Sequence, residues 1–382
     1  MISCKKTTSA VLVFTACAAL SGTADAGVRL YGLIDAGVTH FSGIARPGGG
    51  GATTSSTGLS SGVAAGSRIG LQGTEALGSG LKVLFDAETG FCGTGLSQDA
   101  ALGAPPDGAN FCGGGGFMQR QAYVGLSGHY GTLLAGRMYT LQFVNEVAKI
   151  DPFGWGMTGA ASNLSVLTQE PGLARTDQTL QYSSPVIAGI TAQASYSFAP
   201  GGTGTVAAAQ LQQSKVPRSW DLNLDYQRGA ATAGVNYGRL LNLVVDPATG
   251  INDGGIDVWQ IYGSYDFGVA RVSGIYEHAS PDYSGGRLDS WLLGGTIPVG
   301  SANILVSYEA TRNSTLAGDP SAHQIALGYD YSLSRQTDVY ASYARIDNQD
   351  GAAFGGGDAT DFFSGVANQA ASGFTVGMRH QF

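Results

Sequence analysis

Apolar and polar residues alternate along almost the whole chain after Gly27, and this pattern limits the possible folds more than any other feature. The clearest example is the run Trp220-Asp221-Leu222-Asn223-Leu224-Asp225-Tyr226-Gln227. Because successive side chains of a β-strand point to opposite faces, such a run forms a strand with one apolar and one polar face. The same alternation recurs in 190–198, 257–267 and 302–312. The sequence therefore predicts an all-β fold in which each strand has one wet face.

The composition agrees with this interpretation. Only 13% of the residues are charged, against roughly 25% in soluble domains. Yet no apolar run outside the N-terminus approaches the ~20 residues of a membrane-spanning helix. The apolar residues are thus spread by alternation, as they are in a sheet. The formal net charge of −8 gives no indication of a nucleic-acid partner, and we expect none.

Sixteen segments fit the strand pattern. Their approximate bounds are 28–41, 67–77, 80–91, 117–127, 131–140, 176–184, 189–198, 219–228, 231–241, 257–267, 270–279, 288–299, 302–312, 322–333, 337–347 and 372–382. The connections between them alternate between tight turns and long loops. The long ones are 43–66, 92–116, 141–174, 199–218, 242–256 and 349–370.

This asymmetry of the connections separates two possible architectures. A barrel in the outer membrane has short periplasmic turns and long outer loops. A soluble sandwich can show the same alternation along its strands, but it has no reason for such unequal loops. An even count of sixteen strands also leaves room for an aqueous lumen. We therefore predict a 16-stranded antiparallel transmembrane β-barrel with long outer loops.

The aromatic residues fit this barrel. Trp220, Trp259 and Trp291 each follow a long predicted loop, so we expect them at the outer headgroup level as part of an aromatic girdle. Phe382 ends the last predicted strand. In a closed barrel that strand pairs with the first, which leaves no exposed edge and places Phe382 at the periplasmic boundary.

The N-terminus has the features of a secretory signal. Lys5 and Lys6 precede the apolar stretch 10–20, and Ala24-Asp25-Ala26 is a small-residue cleavage site. The predicted organisation is a signal peptide over 1–26 and a barrel over 27–382.

Of the four cysteines, Cys92 and Cys112 remain after cleavage, and in an exported chain they most simply form one disulfide. A metal site is the alternative, but no cluster of His or Cys accompanies the pair.

The chain resembles the general porins of the Gram-negative outer membrane, especially the type found in beta-proteobacteria. Four segments carry the resemblance, together with the terminal Phe382: Val28-Arg29-Leu30-Tyr31-Gly32-Leu33-Ile34-Asp35-Ala36-Gly37, Ser67-Arg68-Ile69-Gly70-Leu71-Gln72-Gly73-Thr74-Glu75, Arg120-Gln121-Ala122-Tyr123-Val124-Gly125-Leu126 and Gly136-Arg137. The resemblance implies a trimeric, water-filled channel. It also implies that Phe382 is the signal read by the barrel-assembly machinery.

The resemblance further implies a pore constriction. The long loop 141–174 would fold into the lumen, with Asp151 and then Glu146 as acidic residues at the narrowest point. Arg68, Arg120 and Arg175 would face them from the barrel wall and set up a transverse field. Alternatively, the arginines only pair with acids to hold the loop.

The expected function is passive diffusion of small hydrophilic solutes and ions, with a lean towards anions because of the three arginines. A substrate-specific channel for sugars or anions is the alternative. An enzyme would need a nucleophile, a base and an orienting acid at one site, and the five histidines are scattered, so we expect none. A soluble exported adhesin is a further alternative.

We expect the chain to assemble as a homotrimer and to contact outer-membrane lipid and lipopolysaccharide. We expect no cofactor and no metal.

Overall fold

A computed structural model describes residues 27–46, 48, 51–94, 117–169, 174–200, 217–245, 252–282, 284–360 and 362–382. The chain forms a closed antiparallel barrel. Its strands are β1 (Gly27–Ala45), β2 (Thr53–Ser61), β3 (Arg68–Gly78), β4 (Leu81–Gly90), β5 (Gln121–Gly128), β6 (Gly131–Tyr139), β7 (Arg175–Ser183), β8 (Ile190–Ser197), β9 (Arg218–Arg228), β10 (Ala231–Val245), β11 (Asn252–Asp266), β12 (Arg271–Pro281), β13 (Leu288–Val299), β14 (Ala302–Asn313), β15 (Ser321–Ser332), β16 (Thr337–Gln349), β17 (Phe354–Gly357), β18 (Phe362–Ser364) and β19 (Ala371–Gln381).

The predicted sixteen strand positions around the barrel are confirmed. We call each position a stave, and one stave is built from two separate strands. The first part of β1 pairs with β3 and its second part pairs with β2. Together β2 and β3 make the second stave, with 62–67 as an insertion between them. Sequence analysis assigned 53–61 to a loop, because that segment is rich in Ser and Thr on both faces and lacks an apolar row. Loops predicted at 43–66 and 242–256 are therefore partly strand.

The two faces of each strand meet the environments that alternation predicts. In β9, Leu222 is 54% exposed and Leu224 is 49% exposed on the outer surface. Asp221 and Asn223, which alternate with them, are only 6% and 4% exposed because they point into the barrel interior. This arrangement is the reverse of a soluble protein, in which the apolar row is buried. The outward apolar row is the surface that hydrocarbon would cover.

The ends of the chain close the barrel. β19 pairs with β1 over ten residues, from Leu33 opposite Gln381 to Ser42 opposite Ser372. Gly32 and Phe382 exchange two backbone hydrogen bonds of 3.0 and 3.1 Å. The ring of Phe382 occupies the space where a side chain on Gly32 would project, 2.2 Å from an ideal Cβ. No edge is left between the first and last staves, as predicted.

Two connections between strands fold into the barrel. The loop after β6 contains a short helix α1 (Leu141–Val144), a π-helical turn (Asn145–Ile150), a 3₁₀ turn (Ala161–Asn163) and a short helix α2 (Val166–Gln169). The loop after β16 contains the hairpin β17–β18. In the portion of the chain that the structure describes, no helix is long and apolar enough to cross a membrane.

Candidate functional site

The loop that follows β6 lies along the inner wall of the barrel, as the sequence predicts for 141–174. Four pairs of buried polar side chains tie it to β9, β15 and β16 of that wall. They are Gln142–Asp221 at 2.9 Å, Asn145–Asn223 at 3.0 Å, Asn163–Gln324 at 2.7 Å and Thr158–Ser342 at 2.8 Å. These contacts carry the loop across the interior from β9 to β16. The loop therefore covers that half of the lumen wall.

A second inward connection fills the space beside this loop. Leu164 of the loop packs with Ala322, Ile346 and Ala352 in one apolar cluster, so residues after β16 touch the loop after β6. The backbone of Ala359 also bonds to that of Val63 at 3.2 Å. Sequence analysis treated 349–370 as an outer loop and missed this inward course. Its many Gly and Ala residues carry no periodic signal that could have indicated it.

The insertion 62–67 completes this packed side of the lumen. The carboxylate of Asp35 accepts hydrogen bonds from the backbone of Ala64 at 3.0 Å and Ala65 at 2.9 Å, and from the hydroxyl of Tyr340 at 2.5 Å. Ala64 then packs against Phe153 of the loop. These contacts involve β9, β15, β16 and the adjacent β1, and we call the inner face of β3 to β8, which they do not involve, the bare wall.

The three predicted arginines meet on this bare wall. Glu88 lies between two of them, with its carboxylate oxygens 3.2 Å from Nε of Arg68 and 2.6 Å from Nε of Arg120. The hydroxyl of Tyr139 accepts a 2.7 Å hydrogen bond from Arg120 and another from Arg175. The guanidinium of Arg175 also lies over the Tyr139 ring, 4.3 Å from its centroid. We call Arg68, Arg120, Arg175, Glu88 and Tyr139 the arginine cluster.

The register of the sheet explains why these residues meet. Glu88 lies opposite Gln121 on the next strand, directly beside Arg120, and Tyr139 lies opposite Arg175. Glu88 and Gln121 are directly paired, and directly paired residues share a face, so Gln121 also points inward.

Sequence reasoning missed Glu88 and Tyr139 as members of this site. The only signal for Glu88 in the sequence is its position on the polar face of its strand. A second acid lies close by, since the hydroxyl of Tyr31 donates to Asp86 at 2.9 Å and to Glu88 at 3.1 Å. The wall thus presents three guanidinium groups against two carboxylates.

The two acids predicted for the constriction lie elsewhere. The carboxylate of Asp151 accepts hydrogen bonds from the backbone of Phe153, Trp155 and Ala161, at 2.9, 2.8 and 3.1 Å. It is buried, and burial raises its pKa to about 6. An Asp followed by Pro and Gly is well suited to such a role, because its side chain bonds the backbone of the turn that follows. Asp151 therefore organises the loop, and the expectation that it faces the arginines does not match its contacts.

Glu146 is buried between the loop and the wall. Its carboxylate lies 3.1 Å from the hydroxyl of Ser165, which is also 2.9 Å from the carboxylate of Glu277 on β12. Burial, with the nearby charges of Glu277 and Asp151, raises the pKa of Glu146 well above its usual value. Within the described chain, neither Glu146 nor Asp151 forms an ion pair with an arginine.

A short row of aromatic rings connects the arginine cluster to the loop. Tyr139 stacks on Phe143 with ring centroids 4.8 Å apart, and Phe143 meets the edge of Trp155 at 4.7 Å. Because aromatic side chains have few rotatable bonds, this row fixes the distance between the wall and the loop. The side of the passage next to the arginines is therefore shaped by rigid groups.

The remaining predicted residues have the following places. Trp220, Trp259 and Trp291 lie near the long-loop ends of β9, β11 and β13, on the outward face. Tyr237 contacts Trp220, and Tyr276 contacts both other tryptophans, with ring centroids 5.1–5.5 Å apart.

Cys92 follows β4. Cys112 and the signal peptide 1–26 lie outside the described residues, so the disulfide and the signal peptide stay predictions.

The sequence and the fold are similar to those of known porins. A family described as Gram-negative porin matches residues 8–351. Outer membrane porin protein 32 of Delftia acidovorans is 29% identical, over 97% of this chain and 99% of the relative. An outer membrane porin protein of Bordetella pertussis is 27% identical, over 94% and 95%. Among solved structures, an anion-selective porin from Comamonas acidovorans matches with a TM-score of 0.75 and 26% identity, covering 94% of this chain and 100% of that one.

Proposed function

The chain belongs to the Gram-negative porins, and from this premise we propose where its channel is narrowest and which ions it prefers. It is an outer-membrane channel through which small hydrophilic solutes diffuse passively. The proposed constriction lies between the inward loop 141–169 and the arginine cluster. The proposed preference is for anions.

The arginine cluster is the observation that carries the proposal. A guanidinium stays charged at any physiological pH, so Arg68, Arg120 and Arg175 contribute three fixed positive charges. Asp86 and Glu88 offset two of them, which leaves an excess of one positive charge on the bare wall. A narrow passage with low-dielectric walls focuses such a field on the passing ion.

The acids of the loop do not contact the arginine cluster. The carboxylate of Asp151 accepts hydrogen bonds from the backbone of the loop, and that of Glu146 lies beside Ser165, which also bonds to Glu277. Burial also raises the pKa of Asp151 to about 6 and that of Glu146 well above its usual value. The positive wall therefore dominates the proposed constriction, which is consistent with the anion-selective porin among the similar structures.

A substrate-specific channel would need a track of lumen aromatics, and the inward tyrosines Tyr31, Tyr262 and Tyr340 do not supply one. Tyr31 bonds to Asp86, Tyr262 to Asp225 at 2.9 Å, and Tyr340 to Asp35. Each is thus tied to its own stretch of wall. This separation favours general diffusion over binding of one particular solute.

We also propose the partners that the family implies. The mature chain would begin after residue 26 and assemble as a homotrimer. The outward aromatic rings at Trp220, Trp259 and Trp291 would contact lipid and lipopolysaccharide, and Phe382 would be read by the barrel-assembly machinery. We expect solutes to pass through the lumen without being chemically changed. All five histidines lie in a turn or on the outward face, so none can act as a catalytic base in the lumen. Cross-linking of the native protein in membranes would test the trimer.

Reversal potentials in a KCl gradient test the proposed constriction. Replacing Arg120 with Gln should lower the ratio of chloride to potassium permeability, because one positive charge leaves the narrowest part. Arg312→Gln is the matched control, since Arg312 pairs with Asp319 at the outer rim with its side chain 57% exposed. Equal reversal potentials for wild type, Arg120→Gln and Arg312→Gln would exclude the arginine cluster as the selectivity element.

A further inference from the structure

On the outward surface of the barrel, three side chains are linked as a hydroxyl, an imidazole and a carboxylate. Oγ of Ser280 lies 2.7 Å from Nε2 of His278, and Nδ1 of His278 lies 2.7 Å from Oδ1 of Asp289. These are the three roles, nucleophile, base and orienting acid, of a serine hydrolase. We propose that this relay is a catalytic site that hydrolyses fatty-acyl esters of membrane lipids.

The sheet brings the three residues together. His278 and Ser280 are two residues apart on β12, so their side chains share one face of the strand. Asp289 on β13 lies directly opposite His278 in the register. Tyr276 and Trp291 lie two residues from His278 and Asp289 on the same strands and so share their face, and Trp291 is exposed on the outward surface. The relay therefore points away from the lumen. The sequence does not reveal it, because only the register between β12 and β13 brings Asp289 beside His278.

The bonds around Asp289 set the orientation of the imidazole. The carboxylate accepts hydrogen bonds from the hydroxyl of Tyr276 at 2.6 Å and from Nε of Arg287 at 2.9 Å. An acceptor that is held in this way favours the tautomer in which Nδ1 of His278 carries the proton. The lone pair of Nε2 then faces the hydroxyl of Ser280, as a general base requires.

The other four histidines of the chain lack this combination. Their neighbours are Asp347 for His323 at 3.7 Å, Thr57 for His40 at 2.6 Å, Thr337 for His380 at 2.9 Å and the ring of Tyr130 for His129 at 4.8 Å. In none of these sites does a histidine join a hydroxyl to a carboxylate. His278 alone, within the described residues, has both kinds of partner.

The position of the relay indicates the substrate. His278 lies opposite Trp259 in the register, with their rings 5.3 Å apart, and tryptophan rings favour the headgroup level of a bilayer. The ester groups of membrane lipids lie beside that level. Arg287, whose side chain is 66% exposed, offers a cation to a lipid phosphate or to an oxyanion. Both phospholipids and lipid A contain fatty-acyl esters and phosphate.

The proposed reaction balances without a further reagent. Oγ of Ser280 bonds to the ester carbonyl carbon and its proton passes to Nε2 of His278. The bond from that carbon to the alcohol oxygen breaks, and His278 protonates the leaving alcohol. Water then attacks the acyl-serine, giving its proton to His278, and the bond to Oγ breaks as Ser280 recovers a proton. The products are a fatty acid and a lipid that lacks one acyl chain.

The test uses the full barrel purified in detergent and mixed with diacyl phosphatidylethanolamine in one arm and lipid A in the other. Released fatty acid is measured for wild type, Ser280→Ala, His278→Gln and Asp289→Asn. We expect release in at least one arm, and a loss of at least about 100-fold in each variant, as for other triads. A fluorophosphonate probe should label Ser280 in wild type.

Two controls make the outcome decisive. His323→Gln removes an outward histidine that also lies near a carboxylate, and it should leave fatty-acid release unchanged. Single-channel conductance should be the same in all variants, which shows that the barrel is folded. The arm in which release occurs identifies the lipid. If wild type releases no more fatty acid than Ser280→Ala in either arm, the proposal is wrong.

Discussion

The carboxylate of Glu88 lies 2.6 Å from Nε of Arg120, and this buried ion pair fixes a positive group at the bare wall of the lumen. The same carboxylate reaches Arg68, so one acid orients two guanidinium groups. Removing one partner of a buried pair leaves the other charge uncompensated, so the two groups hold each other in place. We therefore expect selectivity at this wall to depend on an acid as well as on the arginines.

Replacing Glu88 with Gln should make the channel more selective for anions. The substitution keeps the size of the side chain and removes one negative charge beside Arg68 and Arg120. Reversal potentials in a KCl gradient would measure the change. Glu75→Gln is the matched control, because Glu75 is exposed on the outer side of β3. An unchanged permeability ratio in Glu88→Gln would show that Glu88 does not shape the field in the passage.

The seating of the inward loop should depend on pH through Asp151. Burial raises the pKa of Asp151 from 3.8 to about 6, so the folded loop favours the neutral carboxyl. A group whose pKa is higher in the folded state stabilises that state below its unfolded pKa and loses this contribution as pH rises through the folded pKa. As pH rises from about 4 to about 6, the folded position of the loop should therefore become less stable. Brief closures of the channel in single-channel recordings should then become more frequent.

Asp151→Asn should weaken this pH dependence, because the amide does not titrate. Glu146, whose pKa is also raised, should contribute a pH dependence of the same sign. Recordings of both proteins across the range provide the measurement. Identical pH profiles for wild type and Asp151→Asn would show that Asp151 does not control the seating of the loop.

Gly136→Ala should impair folding of the barrel. Gly136 has φ of 145°, and an added Cβ would lie 2.1 Å from the carbonyl oxygen of Ala122 on the neighbouring strand. Gly263→Ala is the matched control, since its Cβ would meet nothing closer than 3.3 Å. The folded fraction after refolding into detergent, measured by circular dichroism, should fall only for Gly136→Ala. Equal folding of both variants would contradict the steric argument.

Phe382→Ser should reduce assembly in cells. The ring of Phe382 covers Gly32 at the seam between β19 and β1, and its loss removes both that packing and the proposed assembly signal. The amount of heat-stable barrel in outer-membrane fractions would show the effect. Phe374→Ser removes another outward aromatic of β19 as a control. Normal assembly of Phe382→Ser would leave the terminal aromatic without the predicted role.

The sequence by itself determined the sixteen positions of the barrel, the faces of most strands and the closure of the barrel, although it did not reveal β2. Alternation is a local property with a period of two residues, so Leu222 and Asp221 could be assigned to opposite faces without any knowledge of their neighbours. Each such assignment depends only on the position of a residue along its own strand. The placement of Arg68 and Arg120 in the lumen instead came from the resemblance to the general porins.

Only the tertiary structure decided which side chains meet. Glu88 joins Arg68 to Arg120 through the register of three strands, and the same kind of register places Asp289 beside His278. Asp151 was predicted to face the passage, but the turn that follows it supplies three backbone donors and draws its carboxylate into the loop. Register and loop course arise from contacts between distant segments, and a periodic pattern within one segment contains no information about them.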